Sequence, residues 1–85
     1  MKVVIPTPLR SYTGRREVEG TGETLAALLV DLDRQFPGIR FRVIDEQDRM
    51  RPHVRFFLNG KTVSDLSHPL RPQDALVIVP ALSGG

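Results

Sequence analysis

One segment of the chain carries apolar residues with the period of an α-helix. The repeating positions are Leu25, Leu28, Leu29, Leu32 and Phe36, which fall on a single helical face. Thr24 is a candidate N-cap, and Phe36-Pro37-Gly38 predicts the end of the helix, because the residue before a proline avoids the α conformation. Since only one face is apolar, we expect this helix to lie on a sheet.

Shorter apolar segments on both sides of the helix predict strands. They are Lys2–Pro6, Arg15–Glu19, His53–Leu58, Lys61–Val63 and Ala75–Val79. The dipeptide Asn59-Gly60 favours a tight turn between the third and fourth of these strands. Ile39, Phe41 and Val43 alternate with arginines, which predicts a further half-buried extended stretch.

The order of elements is β, β, α, β, β, β, which indicates an α+β protein. The most economical packing is the β-grasp, ubiquitin-like arrangement, a mixed sheet of four to five strands packed on one main helix. We expect the first and last strands to be central. Pro80 cannot donate to a strand ladder, so the prediction is a domain over residues 1–80 and a flexible C-terminal tail over 81–85, ending in Gly-Gly.

Length and composition exclude several classes of function. The 85 residues form one small domain, which disfavours a self-contained enzyme. The absence of cysteine excludes disulfides, thiolate metal sites and a cysteine nucleophile, and two isolated histidines predict no metal site. No apolar run approaches the ~20 residues of a membrane span, and the N-terminus has no signal-peptide pattern. We therefore expect a cytoplasmic protein that does not bind membranes.

The charge pattern is weakly basic. The formal net charge is +2, and ten of the twelve basic residues are arginine, five of them between residues 40 and 55. Asp45, Glu46 and Asp48 interrupt that stretch, so a solvated surface of mixed charge is a better interpretation than a nucleic-acid site. We do not expect nucleic acid to be a partner.

Strand alternation predicts an apolar surface on the sheet face away from the helix. If Phe56 points towards the helix, Phe57 and Arg55 point away. We define the open-face patch as Val4, Phe57, Val77 and Val79, rimmed by Arg55. A large exposed apolar surface on a small domain marks a place for partner docking. Two alternatives stay open: a register shifted by one residue would bury Phe57, and a homodimer would cover the patch.

Several segments together resemble the ubiquitin-like sulfur-carrier family, which includes the small subunit of molybdopterin synthase and the thiazole sulfur carrier. The segments are GETLAALLVDLDRQFPGI, VRFFLNGK, RPQDALVIVPAL and the closing SGG. The resemblance covers essentially the whole chain, and the start, VVIPTPLRSYTG, looks closest to the bacterial carriers that feed sulfur into cysteine. Ser83 departs from the alanine found in many relatives.

The resemblance implies that the chain is a substrate and carrier rather than an enzyme, with no catalytic residue and no bound cofactor of its own. An E1-like adenylyltransferase would use ATP to adenylate the carboxylate of Gly85, and a sulfur donor such as a persulfide would replace AMP to leave a thiocarboxylate. A sulfur-accepting synthase would then take the sulfur. Gly84, Ser83 and Leu82 would thread the tail into these partners, where larger side chains would collide.

Two other functions stay open. A ubiquitin-like modifier would use the same activation and then attach Gly85 to lysine side chains of other proteins. A nucleic-acid-binding β-grasp domain would use the arginine-rich stretch and would bind with a steep salt dependence. The sequence does not distinguish cysteine formation from other pathways that take sulfur from such carriers.

Overall fold

Five strands form one mixed sheet in the computed structural model, which describes residues 1–80. The strands are β1 (Lys2–Val4), β2 (Glu17–Glu19), β3 (Val54–Leu58), β4 (Lys61–Val63) and β5 (Ala75–Pro80). The helices are α1 (Arg10–Thr13), α2 (Leu25–Gln35) and α3 (Ile39–Val43), and a 3₁₀ turn covers Thr7–Leu9. The order across the sheet is β2-β1-β5-β3-β4; β1 and β5 are parallel and all other neighbours are antiparallel. The predicted β-grasp fold is confirmed.

Helix α2 covers one face of this sheet, as its apolar period predicted. Its buried side chains are Leu25, Leu28, Leu29 and Leu32. The hydroxyl of Thr24 accepts a hydrogen bond from the backbone N–H of Ala27 at 3.2 Å, which is the expected N-cap. Phe36 follows the last helical residue and lies half-buried against the core.

The segment Ile39–Val43 is a short helix, so the prediction of an extended stretch was wrong. Gly38 takes a left-handed φ of 98°, and the carboxylate of Asp33 accepts a hydrogen bond from its backbone N–H at 3.1 Å. Ile39 and Val43 are both buried, whereas Phe41 between them is 51% exposed. The prediction failed because Ile39 and Val43 are four residues apart, and residues with this spacing lie on one face in a strand as well as in a helix.

The connection between β1 and β2 contains the 3₁₀ turn and α1, which no sequence pattern predicted. Leu9 is buried there. Helix α1 ends at the left-handed C-cap Gly14, whose φ is 69°. Beyond this connection β2 pairs antiparallel with β1, and Val18 lies opposite Val3.

The β3–β4 hairpin fixes the register of the sheet. Asn59 and Gly60 both have positive φ, 51° and 87°, as the sequence predicted for this turn. Phe56 is fully buried against the helices, which rules out the shifted register. Strand β5 continues through Pro80, which lies opposite Val54, so the expectation that pairing stops before this proline was wrong by one residue. A proline at a strand end can still keep its place in the register although it donates no hydrogen bond.

Candidate functional site

The open-face patch lies across the three central strands. Val77 on β5 is the register partner of Val4 on β1 and of Phe57 on β3. Directly paired residues point to the same face of a sheet, so these three side chains form a continuous row. Val79 on β5 is likewise the register partner of Arg55 on β3, two residues along the strands from the pair of Val77 and Phe57. The structure thus places all five predicted residues together on the open face, while their docking role stays a prediction.

The aromatic side chain in this row is less exposed than the sequence suggested. Phe57 is half-buried because it lies between Val77 and Thr62, its register partners on β5 and β4. The other apolar members of the patch are also half-buried. The patch is therefore a half-buried apolar band on the open face of the sheet.

Charged groups border the band on both sides. On the β3 side, Arg55 is exposed, and its Nη1 donates to the backbone oxygens of Pro52 and Val54, both at 3.0 Å. On the β2 side, the Nζ of Lys2 lies 3.9 Å from the carboxylate of Glu17. Such surface pairs contribute little to stability, but they enclose the apolar band in a polar rim, as is typical of protein interfaces.

A network of hydrogen bonds fixes the start of β5, the strand that leads to the C-terminal segment. The side-chain oxygen of Asn59 accepts from the backbone N–H of Ala75 at 3.0 Å, and its amide nitrogen donates to the carboxylate of Asp74 at 2.9 Å. The other carboxylate oxygen of Asp74 accepts from the backbone N–H of Arg71 at 2.9 Å. These bonds, that from Asn59 first, lower the pKa of Asp74.

The predicted attachment and threading residues, Leu82, Ser83, Gly84 and Gly85, lie outside the described residues, and their roles stay predictions. What the structure places is Pro80, exposed at the end of β5 and adjacent in sequence to that segment. Within residues 1–80, no three histidine, aspartate or glutamate side chains come together as metal ligands would. None of the helices in this part of the chain is both long and apolar enough to cross a membrane.

Sequence reasoning missed a second surface, the cationic groove, which we define as Phe41, Arg42, Arg51 and His53. The guanidinium carbon of Arg51 lies 4.6 Å from the centre of the Phe41 ring. The concentration of arginines between residues 40 and 55 was the sequence signal for this groove. The alternation assigned Phe41 to the buried side, which concealed it.

Comparison with known proteins gives consistent matches over nearly the whole chain. A sequence model of the ThiS family matches residues 3–85. "Sulfur carrier protein CysO" of Mycobacterium tuberculosis (strain ATCC 25618 / H37Rv) is 34% identical over 89 residues, covering 98% of this chain and 96% of that protein.

Solved structures share the fold. The CysO of the Amycolatopsis orientalis BexX/CysO complex matches with a TM-score of 0.90 and 31% identity, covering 99% of this chain and 98% of that chain. Mycobacterium tuberculosis CysO also has a TM-score of 0.90 and 31% identity, with 95% and 98% covered. SAMP1 of Haloferax volcanii, a small archaeal modifier protein, has a TM-score of 0.79 and 25% identity, with 100% and 98% covered.

Proposed function

The chain belongs to the ThiS family, and from this premise we propose that it works as a sulfur carrier. The observation that carries the proposal is the match to a CysO sulfur carrier at 34% identity over 98% of this chain. The chain is then the substrate of its partner enzymes rather than a catalyst.

The reactive group in this proposal is the α-carboxylate of Gly85. An E1-like adenylyltransferase joins it to the AMP part of ATP and releases pyrophosphate. A sulfide nucleophile then attacks the carbonyl carbon, so that a C–S bond forms, the C–O bond to AMP breaks, and a thiocarboxylate remains. A sulfur-accepting synthase takes this sulfur, and the predicted product is cysteine or another sulfur-containing metabolite. Gly84 allows the close passage that such an enzyme site requires, since glycine has no Cβ.

The open-face patch is the surface on which we expect the activating enzyme to dock. Its apolar band has a polar rim, and β5 supplies two of its members, Val77 and Val79, just before Pro80. A partner bound there holds the strand from which the reactive segment continues. The structure of a related CysO in complex with BexX supports the view that carriers of this shape bind partner proteins.

A second function is favoured by the likeness to SAMP1 of Haloferax volcanii at 25% identity. As a modifier, the protein would undergo the same adenylation, and Gly85 would then form an isopeptide bond with a lysine of another protein. The two functions differ in the nucleophile that attacks the activated carboxyl group, which is sulfur in one and a lysine amine in the other.

One experiment tests the carrier function and separates it from the modifier function. The purified protein is incubated with the E1-like enzyme of the same genome, ATP and sulfide, and is then treated with iodoacetamide. Because the chain has no cysteine, rapid alkylation located at Gly85 by mass spectrometry reports a thiocarboxylate. A chain lacking Gly85 should give no label, whereas Ser83→Ala should behave as wild type. Adenylation without any label, together with lysine-linked adducts, would replace the carrier function by the modifier function.

A further inference from the structure

The cationic groove adjoins a hollow at the end of β5, the strand that precedes the C-terminal segment. Two of its residues, Arg42 and His53, also border a hollow of about 200 Å³ whose lining includes Val79 and Pro80. The groove itself lies between α3, which carries Arg42, and the segment that enters β3. A partner in this groove therefore lies next to residue 80.

Arg51 is held in a fixed position within the groove. Its guanidinium lies over the Phe41 ring, and its Nε donates to the backbone oxygen of Phe41 at 2.7 Å. Its own backbone N–H donates to the oxygen of Val43 at 2.9 Å. Within residues 1–80 its two Nη groups have no hydrogen-bond partner. A guanidinium fixed in this way loses little side-chain entropy when a carboxylate binds its two free nitrogens.

The neighbouring acidic side chains form their salt bridges with arginines outside the groove, although the charge of Arg51 also contributes to the lowered pKa of Asp45. Asp48 pairs with Arg40 at 2.8 Å, and Asp45 lies 3.8 Å from Arg49. Within the part of the chain that the structure describes, neither Arg42 nor Arg51 forms a salt bridge. The groove thus presents two unpaired guanidinium groups around a half-exposed aromatic ring, a surface that complements carboxylates.

The cationic groove lies beside α3 and the open-face patch lies on the sheet, and the two surfaces meet at the hollow that includes Val79. Helix α3 packs on the same side as α2, because Ile39 and Val43 belong to the core beneath that helix. The patch lies on the face that carries no helix. Since the patch includes Val79 and the groove adjoins the hollow lined by Val79 and Pro80, each surface places a bound partner near the end of β5.

We propose that the cationic groove binds an acidic segment of the sulfur-accepting enzyme while the C-terminal segment enters its active site. This inference rests on the proposed function and adds that the two partner enzymes bind different surfaces of the protein. The activating enzyme uses the apolar open-face patch, and the accepting enzyme uses the charged groove beside α3. Two surfaces of different chemistry allow one small protein to discriminate between two partners that take the same C-terminal group.

The test measures the two stages separately on the full chain. The first stage is thiocarboxylate formation by the activating enzyme, and the second is sulfur transfer from purified thiocarboxylate to the accepting enzyme of the same genome. For Arg42→Gln combined with Arg51→Gln, we expect an unchanged first stage, a KM for the second stage raised about tenfold, an unchanged kcat and a weaker salt dependence. The matched control is Arg15→Gln with Arg16→Gln, two exposed arginines without salt bridges within residues 1–80, which should change neither stage.

The outcomes are distinct. A second-stage KM within about twofold of wild type, in a variant that melts normally, overturns the inference, as does an equal slowing of both stages. Loss of binding to a short single-stranded RNA, with sulfur transfer unchanged, assigns the groove to nucleic acid and also overturns it. If the double variant does not fold, Arg42→Gln alone is used, because that side chain is exposed and makes no hydrogen bond within residues 1–80. A wild-type protein that forms no thiocarboxylate contradicts the proposed function itself.

Discussion

Replacing Phe57 by alanine separates the docking role of the open-face patch from its role in packing. Truncating a fully buried phenylalanine costs about 3–5 kcal/mol, which is the loss that we expect for Phe56. Phe57 is only half-buried, so the loss should be about 1–2 kcal/mol by the same reasoning. A domain of 85 residues has about 4–13 kcal/mol of stability. The Phe57→Ala protein should therefore stay folded, with a lower melting temperature.

The effect on docking should be larger than the effect on folding. An aromatic side chain at the centre of an interface typically costs about 2 kcal/mol or more when truncated. A loss of about 2 kcal/mol corresponds to a Kd raised about 30-fold. The measurement is calorimetric titration of the protein into the E1-like activating enzyme, together with a thermal melt of each variant.

The control is Val30→Ala, which removes an apolar side chain that is 57% exposed on the outer face of α2. This change should leave the affinity for the activating enzyme unaltered. The docking argument fails if folded Phe57→Ala binds within about twofold of wild type, or if Val30→Ala weakens binding to the same extent.

Three further predictions concern stability. In urea titrations, Thr24→Ala should lose about 1 kcal/mol and Thr24→Ser should not. Gly22→Ala should lose about 3 kcal/mol, since its Cβ would overlap the backbone nitrogen of Leu28. The Arg34 guanidinium bonded to Asp31 lowers the pKa of that carboxyl below 3.8, so its stabilisation is present at neutral pH and is lost as the pH falls through the lowered value. Asp31→Asn should therefore destabilise the fold more at about pH 7 than at about pH 2.

The sheet and the open-face patch could be predicted because local signals agreed with each other. The alternation in β3 and the Asn59-Gly60 turn both specify the same register, with Phe56 inward and Phe57 outward. A register error of one residue would have moved the apolar side chains of the whole strand into solvent. The patch then follows from pairing alone, since Val77 is opposite both Val4 and Phe57.

The cationic groove could not be predicted, because its residues come together only in the folded chain. Five residues are too short a window to distinguish a strand from a helix. The segment Ile39–Val43 starts as a helix because the Asp33 carboxylate binds the backbone N–H of Gly38 and because Gly38 adopts a left-handed conformation. The stacking of Arg51 on Phe41 also depends on the loop that returns the chain over ten residues. A periodic pattern of apolar residues does not predict a contact between two side chains across a loop.

The place of β5 in the sheet has a consequence for how the protein is made. This strand is the last of the five to be synthesised, yet it lies between β1 and β3, and Ala75 pairs with Lys2 near the opposite end of the chain. Pairings so distant in sequence slow folding. On the ribosome, the β1–β2 pair and the β3–β4 pair cannot be joined into one sheet until β5 emerges. A nascent chain interrupted before that strand cannot complete the sheet, and we expect cellular proteases to remove it. Only chains that include β5 can therefore fold and reach the partner enzymes.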